Sequence, residues 1–206
     1  MTSRWFSSVR RLPWVAGVAV AAVIAVAVPA AAHTPVMING SDTLPWIGPL
    51  ALDGQDPIAF FGALPRPYQD RAFQFHMQAG EAITILSLVP DEAPENQLAT
   101  GDLPVVELVT PDGMVVPIKP DMRVPVPIAE LNENYILLDD YTATAITGTY
   151  SVIVTGAAPA RFNISIGTEG GPFHGIERGT VATTAQIQTW YATPPEQQNR
   201  PVMAQR

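Results

Sequence analysis

Hydrophobic and polar residues alternate with a period of two in several segments of the chain, which is typical of β-strands with one buried face. The clearest example is segment 72–78, in which Phe73, Phe75 and Met77 alternate with polar residues. Segment 82–89 follows a short glycine-containing turn and is almost continuously apolar, as expected for a strand that is covered on both faces. The pattern therefore predicts that these two strands pair as a hairpin.

Further strands are predicted downstream. Segments 148–156 and 161–167 alternate in the same way and are predicted to form a second hairpin. Their predicted inward side chains are Tyr150, Val152 and Val154 in the first, and Phe162, Ile164 and Ile166 in the second. Shorter strands are predicted at 104–109 and 134–139. Segment 114–128 contains four prolines among valines and isoleucines, so it is predicted to be an edge strand or a connection, because proline cannot donate to a β-ladder.

The two ends of this β-rich region are less regular. Residues 34–57 form a proline- and glycine-rich lead-in, segment 181–191 is compatible with one short helix or with a strand, and residues 193–206 are predicted to be a disordered tail. The predicted organisation is a signal or anchor at 1–32, an extended lead-in at 33–57, a β-sandwich at 58–170, and a C-terminal extension at 171–206.

Composition agrees with this pattern. The chain has 206 residues, of which 47% are hydrophobic and 21 are proline, so it can build a core but is poorly suited to a helical bundle. No long helical period separates the strands. The fold class predicted is therefore all-β, a single antiparallel β-sandwich of the jelly-roll type.

The N-terminal segment has the pattern of an export signal. Arg4, Arg10 and Arg11 precede an apolar run from 13 to 28, and Ala30-Ala31-Ala32 fits the small-residue pattern for cleavage before His33. The alternative is an uncleaved anchor, since the run is at the short end of membrane-spanning lengths. With basic residues on its N-terminal side, either version predicts an extracytoplasmic body: secreted, periplasmic or at the cell surface.

Charge and cysteine content exclude several functions. The formal charge is −8, which argues against nucleic-acid binding because that affinity comes largely from cations that neutralise phosphates. Without the three N-terminal arginines, eight basic residues face 19 acidic ones, a formal charge of −11. The absence of cysteine excludes disulfides, thiolate catalysis and cysteine-ligated metals.

Several motifs resemble the bacterial pre-peptidase C-terminal domain and related extracellular jelly rolls. They are Phe73-x-Phe75-x-Met77-x-Ala79-Gly80-Glu81-x-Ile83-x-Ile85, Leu108-x-x-Pro111-Asp112-Gly113, Thr147-Gly148-Thr149-Tyr150-x-Val152-x-Val154 and Phe162-x-Ile164-x-Ile166. The resemblance covers roughly residues 68 to 167 and implies an extracellular β-sandwich, with no catalytic residues. That family is appended to secreted hydrolases, whereas no catalytic partner shares this chain, and the loop at 90–103 and the stretch at 114–128 depart from its compact pattern.

Two metal hypotheses follow from the residue types. If His33 is the mature N-terminus, its α-amine and imidazole can chelate copper, with His76, Met37 and Met77 as further candidate ligands. His76 and Met77 are adjacent on a strand and so point to opposite faces; Met77 then belongs to the core. The second hypothesis is calcium, which prefers several oxygen ligands. The loop at 90–103 offers these residues: Asp91, Glu92, Glu95, Asn96 and Asp102. In the alternative, this loop is simply solvated, and the acids of 53–56 and 139–140 belong to turns.

Catalysis has little support in the sequence. The chain lacks a G-x-S-x-G nucleophile motif, and His76 and His174 are the candidate bases. Carbohydrate binding would depend on exposed aromatic rings, for which the candidates are Trp46, Tyr68, Tyr135, Tyr141, Trp190 and Tyr191. The Trp190-Tyr191 pair is the most prominent of these, and its alternative role is packing against the sandwich.

The function predicted from the sequence is that of an exported, non-catalytic binding or accessory protein of the cell envelope, with a protein or envelope component as partner. Its edge strands and acidic loop are the predicted contact surfaces. No catalytic or cofactor-binding residue is assigned. The alternatives are a copper-binding envelope protein built around His33 and a carbohydrate-binding accessory of a secreted hydrolase.

Overall fold

The computed structural model describes residues 33–129, 131–168 and 170–198. The strands in these residues are β1 (Thr34–Met37), β2 (Leu50–Ala51), β3 (Ile58–Leu64), β4 (Arg71–Met77), β5 (Ala82–Pro90), β6 (Val105–Val109), β7 (Val115–Ile118), β8 (Val124–Ile128), β9 (Glu133–Thr144), β10 (Gly148–Thr155), β11 (Ala160–Ile166), β12 (Ile176–Arg178) and β13 (Thr180–Val181). The helix α1 is Thr184–Ala192, and short 3-10 helices lie at Glu95–Gln97, Thr100–Asp102 and Pro195–Gln197.

The strands form two sheets that face each other, so the all-β sandwich is confirmed. One sheet has seven strands in the order β13-β1-β3-β11-β5-β9-β8, and the other has six in the order β12-β2-β4-β10-β6-β7. Both sheets are mixed, because β1 runs parallel to β3 and β2 runs parallel to β4. The purely antiparallel sandwich predicted from the sequence is corrected on this point.

The main core lies between the sheets and is built from the alternating residues. All the predicted inward side chains of β4, β10 and β11 are buried. Phe60 of the seven-stranded sheet stacks on Phe73 of the six-stranded sheet, with ring centroids 3.8 Å apart. Phe75 stacks on Tyr150 of the neighbouring strand at 5.4 Å. Burial of these rings and their aliphatic neighbours is the main stabilising contribution to the sandwich.

Both predicted hairpins are wrong. β4 and β10 belong to the six-stranded sheet, whereas β5 and β11 belong to the seven-stranded one. The turns after β4 and β10 therefore cross between sheets, and β4 pairs with β10 while β5 pairs with β11. The physical reason is burial: β4 has half-exposed polar residues on its outer face and fits a sheet with one solvated face, whereas the apolar β5 needs cover on both faces.

A second apolar layer covers the outer face of the seven-stranded sheet. Ile187, Trp190 and Tyr191 of α1 pack there against Phe61 and other residues of β3, β5 and β9. This layer explains why every residue of β3 and β11 is buried. It also gives α1 a structural role, because the helix closes the sandwich from outside.

The predicted lead-in and the proline-rich stretch both contribute strands. β1 and β2 come from the lead-in and insert into different sheets beside β3 and β4, so the extended lead-in is corrected to part of the sandwich. The stretch 114–128 is both an edge and a connection, as predicted: β7 is the edge of one sheet and β8 the edge of the other.

The C-terminal extension is ordered further than predicted. The helix alternative for 181–191 is confirmed, and α1 begins with a capping box in which Thr183 and Gln186 satisfy each other's backbone N–H groups. Residues 193–198 are not a disordered tail, because Pro195 is buried and the Gln198 side chain donates to the Trp190 carbonyl at 2.7 Å.

The predictions for the signal or anchor at 1–32 and for the tail at 199–206 lie outside the described residues. Within the part of the chain that is described, no helix has the length and apolar character needed to cross a membrane.

Candidate functional site

A carboxylate–imidazole cluster lies where β2 ends and β12 begins. These strands pair antiparallel, with Ile176 opposite Ala51, so the chain leaving β2 runs beside the chain entering β12. The Leu52 N–H donates to the Gly175 carbonyl at 3.1 Å and continues this pairing. This pairing places Asp53 and Asp56, which are close in sequence, next to the distant His174.

Asp56 is the fixed centre of the cluster. Its side chain is fully buried, and one carboxylate oxygen, Oδ2, accepts from the backbone N–H groups of His174 at 2.7 Å and Gly175 at 3.2 Å. The other oxygen, Oδ1, lies 2.7 Å from the His174 Nδ1. Asp53 approaches the same Nδ1 with its Oδ2 at 3.4 Å, while its Oδ1 accepts from the Gln55 N–H at 2.8 Å. One ring nitrogen therefore faces two carboxylates.

The imidazole is the accessible part of the cluster. The side chain of His174 is 51% exposed and that of Asp53 is 29% exposed. The hydrogen bond to Asp56 raises the pKa of His174 above its ordinary value, and the negative charges of Asp56 and Asp53 raise it further. Desolvation lowers the pKa, but by less than these contacts raise it. The protonated ring is favoured because both neighbours are anionic.

This electrostatic arrangement predicts a pH effect. The pKa of His174, measured by NMR titration with EDTA present, is expected above 6.5 and is expected to fall in Asp56→Asn. Because the pKa of His174 is higher in the folded state than in the unfolded state, protonation of His174 stabilises the fold. This contribution is fully present below the unfolded-state pKa and is lost as the pH rises through the folded-state pKa. An unchanged His174 titration in Asp56→Asn would contradict this geometry; Asp91→Asn, an exposed acid of the 90–103 loop, is the matched control.

The predicted copper ligands are not brought together. Met77 is buried in the core between the sheets, whereas Met37 packs in the outer layer against α1. The Nδ1 of His76 lies 2.9 Å from the hydroxyl of Thr149, the residue opposite it on β10. The structure thus removes the methionines as joint ligands, while a copper chelate at His33 itself stays a prediction.

One acid of the predicted calcium loop, Glu95, is not available to bind an ion. Glu95 is fully buried and forms an ion pair with Arg161, with Oε2 at 2.7 Å from Nη2 and Oε1 at 2.9 Å from Nε. The Arg161 backbone N–H also donates to Glu95 Oε1 at 2.6 Å. Both carboxylate oxygens of Glu95 are thus bound by Arg161 inside the protein. Glu95 is therefore neither a solvated residue of the 90–103 loop nor a free calcium ligand, and both predictions are wrong for this residue.

The same ion pair also holds α1 against the sandwich, through contacts between Arg161 and Tyr191. The guanidinium of Arg161 donates to the carbonyls of Tyr191 and Ala93, and it lies 5.7 Å from the centre of the Tyr191 ring. Sequence reasoning missed this group. The available signal was Arg161, the single charged residue of strand 160–166, because a charge in a strand with so many inward apolar side chains needs a buried partner.

The hypothesis of a solvent-facing aromatic platform at Trp190 and Tyr191 is wrong. These residues are 2% and 9% exposed, the Trp190 Nε1 donates to the Gly62 carbonyl at 3.1 Å, and the Tyr191 hydroxyl donates to the Asn134 carbonyl at 2.7 Å. The amphipathic rings bury their apolar surface and satisfy their polar atoms internally. The alternative role, packing against the sandwich, is confirmed.

Several exposed apolar side chains instead belong to segments that adjoin β12 and β2, the strands at one edge of the six-stranded sheet. Five of the eleven exposed large hydrophobic residues of the described chain belong to the segments that flank this edge. They are Leu44 (43% exposed), Trp46 (65%), Ile47 (46%), Leu52 (43%) and Phe173 (46%). We call this set the edge surface. Leu52 and Phe173 directly adjoin Asp53 and His174 in sequence, so the carboxylate–imidazole cluster lies at one end of it.

The edges formed by β7 and β8 are built differently. β8 carries Pro125 and Pro127 at exposed positions, and β7 carries Pro117 at an exposed position. Prolines on an edge strand remove backbone donors and block the addition of another strand. These edges are thereby protected from pairing with other chains through the backbone.

No family model matches the chain, and no curated protein sequence matches it at a significant level. Among solved structures, the chain is similar to PliG of Salmonella Typhimurium, a periplasmic inhibitor of g-type lysozyme, with 12% identity, a TM-score of 0.32, and coverage of 66% of this chain and 97% of that one. It is also similar to CorA of Methylomicrobium album BG8, a surface-associated copper-binding protein, with 10% identity, a TM-score of 0.26, and coverage of 66% and 98%. Similarity at this level carries no argument about function, so the function is argued from the chain's own residues.

Proposed function

We propose that the protein is an exported, non-catalytic binding protein of the cell envelope, and that it docks a basic protein partner on the edge surface. The observation that carries the proposal is Trp46, whose side chain is 65% exposed and lies between the exposed Leu44 and Ile47. Tryptophan is enriched at the energetic centres of protein interfaces. A large exposed aromatic side chain flanked by aliphatic ones is the usual form of such an anchor.

The turn that presents Trp46 is fixed. The N–H groups of Ile47 and Gly48 both donate to the Leu44 carbonyl at 3.1 Å. A Cβ atom at Gly48 would lie 2.0 Å from the Ala72 carbonyl oxygen, so the turn sits directly against β4. A rigid anchor loses little conformational entropy on binding, which favours affinity.

The charge of the body selects the chemistry of the partner. All 19 acidic residues lie beyond residue 32, whereas Arg4, Arg10 and Arg11 lie before it. Two of the remaining basic residues, Arg71 and Arg161, are buried. The surface is therefore predominantly acidic, which steers a basic partner towards the body and repels acidic ones.

The two candidate bases, His76 and His174, support a non-catalytic interpretation. A hydrolytic site needs a nucleophile, a base and an orienting acid joined through one histidine. His76 contacts the Thr149 hydroxyl, and His174 contacts Asp53 and Asp56. Each histidine thus has one part of such an arrangement, and the two histidines are held by different elements.

In-cell photo-crosslinking tests this proposal. A photoreactive phenylalanine analogue at position 46 is expected to crosslink one extracytoplasmic protein of basic isoelectric point. The matched control is position 114, because Met114 is 60% exposed and lies beside β7 at the opposite edge of the same sheet. Equal crosslinking at both positions, or crosslinking at position 46 to a second copy of the chain or to a lipid or glycan, would refute the assignment.

A further inference from the structure

We propose that Asp53, Asp56 and His174 form a binding site for a divalent first-row transition metal ion of the zinc type. Each residue offers one donor atom, and the three donor atoms lie within 4.8 Å of one another. One imidazole nitrogen with two carboxylate oxygens is a donor set that zinc and its neighbours accept.

The spacing of the donor atoms fits such an ion. Zinc–ligand bonds of about 2.0–2.1 Å in a tetrahedron place neighbouring ligand atoms about 3.3–3.4 Å apart. The His174 Nδ1 lies 3.4 Å from Asp53 Oδ2 and 2.7 Å from Asp56 Oδ1. The donor oxygens of Asp53 and Asp56 lie within 4.8 Å of each other, so an ion can enter by small shifts of the exposed imidazole and the partly exposed Asp53, with the buried Asp56 kept in place.

The supporting hydrogen bonds are already made. Asp56 Oδ2 is held by the backbone N–H groups of His174 and Gly175, which leaves Oδ1 directed at the ring nitrogen. Asp53 Oδ1 is held by the Gln55 N–H, which leaves its Oδ2 on the same side. Metal sites use such outer contacts to orient their ligands.

The proton on the ring nitrogen can satisfy only one of the two carboxylates. The Nδ1 of His174 carries at most one proton, and its shorter contact, 2.7 Å, is to Asp56. The Oδ2 of Asp53 remains 3.4 Å from that nitrogen, beyond an ordinary hydrogen bond. A divalent ion contacts both carboxylates at once, which one proton cannot do.

The ligand set also separates this site from the earlier metal hypotheses. Calcium prefers six to eight oxygen ligands and rarely an imidazole, and Cu(I) prefers sulfur ligands. Three protein ligands leave a coordination position for water or for a residue of another molecule. Leu52 and Phe173 directly precede Asp53 and His174, so the metal site adjoins the edge surface, but it does not depend on the proposed partner.

The test uses the purified exported protein after treatment with EDTA. Titration with Co²⁺, followed by its visible absorption, and with Zn²⁺, followed by calorimetry, is expected to give one equivalent bound. Asp53→Asn and His174→Ala are each expected to weaken binding by about tenfold or more. His76→Ala is the matched control and is expected to bind like the unchanged protein, since His76 contacts Thr149 outside the cluster.

The outcomes separate the alternatives. Asp53→Asn changes a partly exposed side chain, so its thermal unfolding is expected to match that of the unchanged protein, and a loss of binding then reports on the site. Binding that survives both substitutions but disappears in His33→Ala would overturn the proposal in favour of His33. Absence of binding at about 1 mM Zn²⁺ would overturn it outright. Crosslinking at position 46, repeated in EDTA, tests the proposed partner independently.

Discussion

Replacing Arg161 by methionine is expected to lower the free energy of unfolding by about 3–5 kcal/mol, because it leaves the buried carboxylate of Glu95 without its counter-charge. Glu95 is 0% exposed, so water cannot solvate it while the fold persists. The substitution also removes the donors to the carbonyls of Ala93 and Tyr191. Urea denaturation monitored by tryptophan fluorescence measures the loss.

The matched control is Arg123→Met, because Arg123 is exposed and donates to the Leu98 carbonyl at the surface. Its effect is expected to stay within about 0.5 kcal/mol. The double variant Glu95→Met with Arg161→Met is expected to recover much of the loss, since an apolar pair leaves no buried charge. Equal effects of Arg161→Met and Arg123→Met would show that the pair is not buried as described.

Replacing Trp190 by alanine is expected to cost about 3–5 kcal/mol, the usual range for a buried tryptophan. The ring is 2% exposed, meets Phe61 edge-on at 5.1 Å, and donates from Nε1 to the Gly62 carbonyl. Its removal leaves a void between α1 and the outer face of the seven-stranded sheet. Thermal unfolding gives the overall loss, and hydrogen exchange is expected to rise first in α1.

The chain provides its own control in Trp46→Ala. Trp46 is 65% exposed, so the same substitution there is expected to change stability by less than about 0.5 kcal/mol. The contrast assigns one tryptophan to the core and the other to the surface. A large loss at Trp46, or a small one at Trp190, would reverse these roles.

The local pattern predicted the strands well and their partners poorly. Alternation in β4 and β10 identified which side chains face the core, because side-chain direction is a property of one strand. Pairing depends on which sheet offers cover for a strand's second face, and this is decided by distant elements such as α1. Segment 58–64 shows the same limit, since it is apolar throughout and has no alternation to detect.

The candidate site could not be predicted from the sequence, for a related reason. Asp56 and His174 are separated by 118 positions, and Glu95 and Arg161 by 66, so no local spacing could join them. The interpretation of Asp53 as a turn residue was correct, because its side chain accepts from the Gln55 N–H. That of Asp56 was incomplete, since its partners come from the segment that precedes β12.

The two tryptophans Trp46 and Trp190 differ in burial, which the sequence alone did not indicate. Both Trp46 and the Trp190-Tyr191 pair were candidates for surface contact in the sequence, and the pair was the more prominent. The amphipathic helix α1 turns Trp190 inward, whereas the tight turn after Leu44 leaves Trp46 outside. The β12–β2 edge is therefore the contact surface that we propose, whereas the acidic loop at 90–103 is held inward by the ion pair of Glu95 with Arg161.

The affinity of the purified protein for its crosslinked partner shows whether Trp46 anchors that partner. Trp46→Ala is expected to weaken binding by about 2 kcal/mol or more, roughly thirtyfold, whereas Met114→Ala is expected to leave the dissociation constant nearly unchanged. Both side chains are exposed, so neither change is expected to disturb the fold. Equal affinities for the Trp46→Ala and Met114→Ala variants would contradict the assignment of the edge surface as the binding surface.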